Sequence, residues 1–360
     1  MRYIGNKTKL LPFLRSAIAR LGITPGVAHD AFAGTAAVGR ALKADGWRVH
    51  SSDLMTYSYV MQRAYVVASR VDSFRRLAKV DPAVRAALAK RAAGRVEAVA
   101  NHLTAGLPPT DGFFARHFGP AGGRMYFTDE NARRIDAART ALHQWQAVGL
   151  VDDDTFYVLL AAIIEGADRV ANTAGVYAAY IKKWQPNALR PFNIMAALPV
   201  ASRARSVAHQ ADAIQVAASL GPIDVLYVDP PYNSRQYAGY YHVPELIARG
   251  WFDDAVVLRG KTGLIADREQ RSAWCSRRYA PGALRDLLAA TGARHVLVSY
   301  NSEGVIEDRE FRDILREASI DGRVRRSTLR YKRYRADSDR EGRRYKADEV
   351  TELLYYARLR

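Results

Sequence analysis

Cysteine is almost absent from this 360-residue chain, and no run of hydrophobic residues is long. The one cysteine, Cys275, excludes an internal disulfide and any metal cluster built from several cysteines, and we expect it to be a structural thiol. Metal-ligand spacing is also missing among the eight histidines, so the sequence predicts no metal site. Because no apolar segment has membrane-spanning length and the N-terminus lacks a signal-peptide pattern, we expect a cytoplasmic protein without a membrane partner.

Acidic residues are few relative to basic ones. The chain has 37 Asp and Glu against 54 Lys and Arg, a formal net charge of +17 at pH 7. With 49% hydrophobic and 25% charged residues the composition is that of a globular protein. So large a positive charge predicts a polyanionic partner, most simply nucleic acid. An acidic membrane surface is the alternative, but no amphipathic basic helix indicates it.

One short stretch has the pattern of a strand that ends in a site. The apolar run from Val225 to Val228 is typical of a fully buried parallel strand, because it has strand length without polar alternation. The strand must stop at the two prolines that follow Asp229, since proline has no N–H for a sheet. Asp229 and Tyr232 therefore reach the carboxyl edge of a sheet, where open α/β sheets bind ligands. A rigid turn without a ligand is the alternative.

A second strand end lies near the N-terminus. A strand from Val27 to Asp30 runs into Ala-Phe-Ala-Gly-Thr-Ala and a helix, the arrangement of a cofactor-facing turn in a doubly wound fold. The glycine spacing does not indicate a pyrophosphate. The next strand, from Arg48 to Ser52, ends at Asp53, whose carboxylate suits ribose hydroxyls. These features favour an adenosine-type cofactor without a pyrophosphate; Asp53 as the cap of the next helix is the alternative.

The two regions are separated by a largely helical block. We predict that residues 66–194 are an insertion into an α/β core formed by residues 1–65 and 195–360. Near its end, residues 172–184 mix aromatic side chains with cations such as Lys182 and Lys183, which suits base stacking and phosphate contacts. A helix packed on the core through its tyrosines is the alternative. Further strands are expected at 295–301, 323–335 and 351–357.

Several motifs together resemble one enzyme family. Asp229-Pro230-Pro231-Tyr232, preceded by Asp30-Ala-Phe-Ala-Gly34, resembles the S-adenosylmethionine-dependent amino-methyltransferases. The opening Arg2-Tyr3-Ile4-Gly5-Asn6-Lys7, the extended motif from Asp229 to Tyr237 and the order of these motifs are similar to the D12, or alpha, class of adenine-specific DNA methyltransferases of type II restriction-modification systems. Stretches at 126–128, 172–184 and 299–304 extend the similarity over most of the chain. Ala36 departs from the family, which usually has a second glycine there.

The resemblance implies a fold and an activity. The fold would be a doubly wound, mostly parallel seven-stranded sheet with a helical target-recognition insertion. The enzyme would transfer a methyl group from S-adenosylmethionine to N6 of an adenine in a specific duplex DNA sequence, after flipping the base out of the stack. Its partners would be duplex DNA and a cognate restriction endonuclease acting on the same site in a bacterial or phage-encoded system. RNA methylation and non-catalytic DNA binding are the alternatives.

The resemblance also implies roles for individual residues. The catalytic group is Asp229, Pro230, Pro231 and Tyr232. For the cofactor the residues are Tyr3, Ile4, Gly5 and Lys7 at the methionine portion, Asp30, Phe32 and Gly34 at the first turn, Asp53 at the ribose and Asp212 at the adenine amine. Apart from the resemblance, the mixtures of basic and aromatic residues predict DNA contacts by Arg235, Lys182, Lys183, Tyr331, Lys332 and Arg333. Because the Asp229 carboxylate and the Pro230 carbonyl are acceptors, they suit the two hydrogens of an exocyclic amine.

Overall fold

The structure, a computed structural model, describes residues 1–87, 91–252, 256–265, 270–332 and 349–360. Contacts divide the chain into two compact units. We call the first the α/β unit, which consists of Asn6–Leu54, Ser202–Gln236 and Glu269–Arg360. The second, the helical unit, consists of Met1–Gly5, Met55–Ala201 and Tyr237–Arg268.

Nine strands occur in the described residues. In chain order they are β1 (Val27–Asp30), β2 (Arg48–Asp53), β3 (Val207–Gln210), β4 (Ile223–Val228), β5 (Leu258–Arg259), β6 (Leu264–Ile265), β7 (Ala293–Asn301), β8 (Arg325–Lys332) and β9 (Glu349–Arg358). Seven of them form one sheet in the order β3-β2-β1-β4-β7-β9-β8, while β5 and β6 pair separately as an antiparallel hairpin. The sheet is parallel from β3 to β7, and β9 is antiparallel to both of its neighbours. The predicted doubly wound, mostly parallel seven-stranded sheet is confirmed.

The helices of the two units are distinct sets. The α/β unit contains α1 (Leu11–Arg20), α2 (Ala37–Ala44), α10 (Ala213–Ser219), α13 (Ala280–Ala290) and α14 (Asp308–Ala318). The helical unit contains α3 (Thr56–Gln62), α4 (Leu77–Val80), α5 (Pro82–Ala87), α6 (Ala92–Asn101), α7 (Phe113–Phe118), α8 (Asp129–Ala147), α9 (Asp153–Val170), α11 (Tyr237–Tyr240) and α12 (His242–Arg249). Short 3₁₀ turns lie at Thr8–Leu10, Pro120–Gly122 and Ala273–Cys275, and π-helical turns at Arg63–Val67 and His102–Gly106. No helix in the described part of the chain is long and apolar enough to cross a membrane.

The strand order creates a switch point at the centre of the sheet. From β1 the chain winds outward to β2 and β3, then returns to β4 on the other side of β1. Asp30 at the end of β1 is in register with Tyr227 of β4. Ligands of open α/β sheets bind at the carboxyl ends of strands where the winding reverses. The buried side chains of β4 and β7 pack with those of α13 and α14, and this core holds the switch point in place.

The helical unit is larger than the predicted insertion at 66–194. Besides Met1–Gly5, it includes residues from Met55 onward, and it takes in residues 237–268 because α12 packs against α3 and α9. Its two long helices start with the side-chain caps Thr128 and Asp152. The alternative of a helix at 172–184 is wrong: this segment forms bends and turns. Side-chain hydrogen bonds from Asn172 to the carbonyls of Met125 and Ile181 hold it in that shape.

Candidate active site

The Asp229 loop leaves β4 at the switch point. β4 is almost entirely buried, and Asp229, the next residue, keeps 15% of its side chain exposed. The loop is tied down at its far end, where Gln236 donates to the Ser272 carbonyl (3.1 Å) and accepts from the Ser272 N–H (2.8 Å). The Cys275 thiol donates to the Arg235 carbonyl at 3.4 Å. Burial raises the pKa of Cys275 to about 11, which fits a structural thiol better than a reactive one.

Lys7 contacts the carboxylate of Asp229. Its Nζ lies 2.9 Å from Asp229 Oδ1 and 2.8 Å from Glu352 Oε1, and both Lys7 and Glu352 are buried. Nζ also lies 6.0 Å from the centre of the Tyr232 ring. The sequence had indicated Lys7 only for the cofactor and had not indicated Glu352. The signal that could have identified it is the position of this acidic residue directly before the apolar run 353–357 of β9.

Two carboxyl groups at the switch point have pKa values near 7. Burial raises the pKa of Asp229 to about 7; Lys7 opposes the rise and Glu352 adds to it. Burial likewise raises the pKa of Asp30 to about 7, and the negative charge of Asp229 adds to it. The Gly39 N–H, in the first turn of α2, donates to Asp30 Oδ2 at 3.0 Å. Although burial alone would lower the pKa of Lys7, its two carboxylate partners raise it well above its usual value.

The turn after β1 is held by the end of β2. The Gly34 N–H donates to Asp53 Oδ2 at 2.9 Å, and the Ala33 N–H donates to the Ser52 carbonyl at 3.0 Å. Gly34 has φ 51° and Ala36 has φ 58°, both in the left-handed region. The alternative that Asp53 caps the next helix is wrong, since the N-cap of α3 is Met55. Instead, Asp53 at the end of β2 stabilises the turn after β1 by accepting from the Gly34 N–H.

Other predicted cofactor residues of the α/β unit lie around the same sheet edge. Phe32 is half-buried and packs edge-to-face on Trp274, with ring centres 4.9 Å apart. Asp212 is half-buried and caps α10 through its Oδ1, which accepts from the Ile214 N–H at 2.9 Å. The half-buried carboxylates of Asp53 and Asp212 can accept hydrogen bonds from hydroxyl and amine groups. The ring of Phe32 provides an apolar surface at the same edge. This set of groups fits an adenosine-type cofactor. Among the described residues, no group of three or more His, Cys, Asp or Glu could hold a metal ion.

The remaining residues of the N-terminal motif belong to the helical unit. Tyr3 packs against three other tyrosines of that unit, with its ring centre 4.7 Å from that of Tyr241. The Ile4 N–H donates to the Tyr241 hydroxyl at 2.7 Å, and Gly5 has φ 80°. Within the helical unit these contacts fix the conformation of the N-terminal residues.

The residues predicted to contact DNA lie in both units. In the α/β unit Arg235 is exposed on the loop after Asp229. In the helical unit Lys182 and Lys183 are exposed on the loop held by Asn172. The backbones of Tyr331 and Lys332 form the end of β8, and Arg333 lies outside the described residues.

Comparison with known proteins gives consistent matches. The model of the D12 class N6 adenine-specific DNA methyltransferase family matches residues 3–314. The type II methyltransferase M.NlaIII of Neisseria lactamica is 35% identical over 362 aligned residues, which cover 99% of this chain and 98% of that protein. The type II methyltransferase M.FokI of Planomicrobium okeanokoites is 31% identical, and the modification methylase StsI of Streptococcus sanguinis is 29% identical. Each of these two matches covers 99% of this chain but only about half of the relative, 52% and 51% respectively.

Proposed function

This chain belongs to the D12 class of N6 adenine-specific DNA methyltransferases, and we propose that Asp229 and Pro230 hold the amine of the target adenine for its reaction. The activity of the class is S-adenosylmethionine-dependent methylation of adenine N6 in DNA. The adenine amine is a poor nucleophile, because its lone pair is delocalised into the ring. The Asp229 carboxylate and the Pro230 carbonyl accept its two hydrogens, which favours a pyramidal nitrogen with a directed lone pair. The observation that supports this assignment most is the position of Asp229 at the switch point, where it is largely buried and paired with Lys7.

The transfer needs orientation and no covalent intermediate. S-adenosylmethionine supplies the methyl group on a sulfonium. As the bond from N6 to the methyl carbon would form, the carbon–sulfur bond would break with its electron pair on sulfur, so that the neutral thioether leaves. The positive charge would then be on N6, which releases a proton to solvent. Holding the amine in line for this attack supplies several kcal/mol of the barrier, within the roughly 7–11 kcal/mol that orientation can provide. Pro231 completes the rigid turn that holds both acceptors in place.

We assign the cofactor to the turn after β1. Asp53 accepts from the ribose hydroxyls, Asp212 accepts from the adenine amine of the cofactor, and Phe32 packs against its rings. Asp30 and Gly34 shape the turn through their bonds to Gly39 and Asp53. For Tyr3, Ile4, Gly5 and Lys7 the assignment to the methionine portion rests on the family motif.

The target adenine must leave the duplex to reach Asp229, because its amine is otherwise buried among the stacked bases. Tyr232 is half-buried beside Asp229 and stacks on the extruded base, a contact worth about 1–3 kcal/mol. We assign target recognition to the helical unit, with phosphate contacts from Lys182 and Lys183. Arg235, Tyr331, Lys332 and Arg333 supply the α/β unit's contacts to duplex DNA. The similarity to a type II methyltransferase and a modification methylase supports a cognate restriction endonuclease as a partner of a bacterial or phage-encoded enzyme that acts in the cytoplasm.

The decisive experiment compares Asp229, which directly follows β4, with Asp224 near the start of that strand. Asp229→Ala should abolish transfer of labelled methyl from S-adenosylmethionine to unmethylated bacterial DNA, while duplex affinity stays close to wild type. Asp224→Ala is the matched control, because Asp224 lies at the opposite end of β4, where it accepts from the Val27 N–H and pairs with Arg294. This control should keep its activity per folded molecule. Wild-type transfer by Asp229→Ala would overturn the catalytic assignment.

The same assay tests the substrate. We expect incorporation into duplex DNA and not into structured RNA, with N6-methyladenine as the product. Sequencing the modified bases then gives the recognition sequence. Preferential incorporation into RNA would support the alternative of RNA methylation, and failure to bind S-adenosylmethionine in calorimetry would support non-catalytic DNA binding.

A further inference from the structure

A buried chain of three charges connects the outer part of the sheet to the switch point. Glu352, only 2% exposed on β9, contacts Lys7, which is 6% exposed and contacts Asp229. Glu352 is in register with Asn301 of β7, so its position is set by the sheet. Its neighbours Leu353 and Leu354 are buried apolar residues of the same strand.

Stability does not account for this arrangement. Burying a charge costs free energy unless the charge is well paired, and buried ion pairs are on average no more stabilising than apolar side chains of similar volume. A leucine at position 352 would continue the apolar run of β9 at no such cost. A carboxylate there therefore points to a role for the charge itself.

We propose that Glu352 and Lys7 are positioning residues for Asp229: Glu352 holds the Lys7 ammonium, and the ammonium holds Asp229 Oδ1 so that Oδ2 receives a hydrogen of the target amine. This proposal rests on the proposed function of Asp229. Lys7 also lies 6.0 Å from the centre of the Tyr232 ring, so one ammonium lies beside both the acceptor and the stacking ring. On the neighbouring strands β4 and β7, the Tyr227 hydroxyl donates to the Ser299 hydroxyl at 2.9 Å.

The two charges act on Asp229 in opposite directions. Asp229 is surrounded by Lys7, Glu352, Asp30 and Tyr227. The Lys7 charge opposes the burial-driven rise in the pKa of Asp229, and the Glu352 charge adds to it. Since only the ionised carboxylate offers both oxygens as acceptors, transfer should fall as pH drops through the pKa of Asp229. Removing Lys7 should move this acidic limb to higher pH, and removing the charge of Glu352 should move it to lower pH.

The experiment compares pH profiles of full-length variants. We would measure kcat and kcat/KM for methyl transfer into unmethylated bacterial DNA from about pH 5.5 to 9, a range that spans the acidic limb. Lys7→Met should lower kcat by about tenfold or more near neutral pH, a change that corresponds to about 1.4 kcal/mol, and shift the limb upward. Glu352→Gln, whose amide oxygen still accepts from Lys7, should shift the limb downward. Ser299→Ala is the matched neutral control beside Tyr227 and should leave the limb unchanged.

A double variant, Lys7→Met with Glu352→Gln, distinguishes a folding defect from a loss of positioning. Lys7→Met alone leaves Glu352 buried without its cation, which is destabilising, whereas Lys7→Met with Glu352→Gln removes both charges. The double variant should unfold at nearly the wild-type temperature and still have a lowered kcat. Asp30→Asn identifies any part of the acidic limb that belongs to Asp30.

Two outcomes overturn the proposal. One is the same acidic limb in wild type, Lys7→Met and Glu352→Gln, and the other is a wild-type kcat in the folded double variant. Either result with an inactive Asp229→Ala leaves the role of Asp229 intact and rejects only the role of Lys7 and Glu352. An active Asp229→Ala rejects the proposed function itself, and with it the proposal built on it.

Discussion

The Gly34 N–H donates to Asp53 Oδ2 at 2.9 Å, and this hydrogen bond joins the turn after β1 to the end of β2. One oxygen of the carboxylate thus shapes the turn, while the proposed ribose contact uses the same side chain. Because the strands are parallel neighbours, both residues lie at the carboxyl edge of the sheet. The turn and its acidic partner therefore form one structure, although they lie in separate elements.

Substitution of Asp53 should weaken the cofactor complex. Asp53→Ala removes the acceptor for Gly34 and for the ribose hydroxyls, so we expect the Kd for S-adenosylmethionine to rise about 10–100-fold, the equivalent of one or two charged hydrogen bonds. Calorimetry on the purified protein measures this. Asp45→Ala, which removes an exposed carboxylate paired with Arg15 after α2, is the matched control and should bind normally. A wild-type Kd for Asp53→Ala would contradict the assignment.

Ala36 is strained, and glycine should relieve the strain. Its φ of 58° costs a residue with a Cβ about 1–2 kcal/mol. Glycine would remove this strain, but its greater conformational entropy in the unfolded state offsets part of the stabilisation. Ala36→Gly should therefore stabilise the protein by about 0.5–1 kcal/mol in denaturant unfolding. Ala41→Gly, in the interior of α2, should instead destabilise it by about 1 kcal/mol. Equal effects of the two substitutions would argue against backbone strain at Ala36.

Strand ends were predictable because their signals are local. The apolar run before Asp229 and the two prolines after it define the end of β4 without reference to the rest of the chain. The same holds for β1 and the turn that begins at Asp30. Since parallel strands bring their carboxyl ends to one edge, the local signals also placed the candidate site.

Partners that lie far apart in the chain were not predictable in this way. The contact between Lys7 and Glu352 depends on the register of β9 against β7, which is set by packing across the whole sheet. The packing of α12 on α3 and α9 likewise has no local signal, so the sequence placed residues 237–268 with the α/β core. The departure at Ala36 was visible in the sequence, but its left-handed backbone was not.

Glu245 should be important for the stability of the helical unit. It is fully buried, and its two oxygens accept from the N–H groups of Thr56 and Tyr57 at the start of α3, each at 3.0 Å. Glu245→Ala leaves these groups without their acceptor and should cost about 2–3 kcal/mol of unfolding free energy. Glu130→Ala removes an exposed carboxylate that has the same i,i+4 spacing to an arginine, and should cost at most about 0.5 kcal/mol. Similar losses in the two variants would show that the buried cap has no special role.

Salt should weaken DNA binding in proportion to the number of phosphate contacts. Each contact contributes about −0.9 to the slope of log K against log salt concentration, so a protein of this charge should show a steep decline. Lys182 and Lys183 are exposed on a loop that Asn172 holds through three hydrogen bonds, to Met125, Ile181 and Gln185. Because these hydrogen bonds hold the loop, its backbone needs little further ordering when the two ammonium groups contact phosphates.

Replacing both lysines tests this directly. Lys182→Ala with Lys183→Ala should make the slope shallower by about two and weaken binding about equally for specific and non-specific duplexes, since phosphate contacts are independent of sequence. The matched double substitution by arginine keeps both charges and should keep the slope. Fluorescence anisotropy of labelled duplexes over a salt series gives each value. An unchanged slope in the alanine variant would place the phosphate contacts elsewhere on the basic surface, and loss of specific binding alone would mean that these lysines read bases, because only base contacts distinguish one sequence from another.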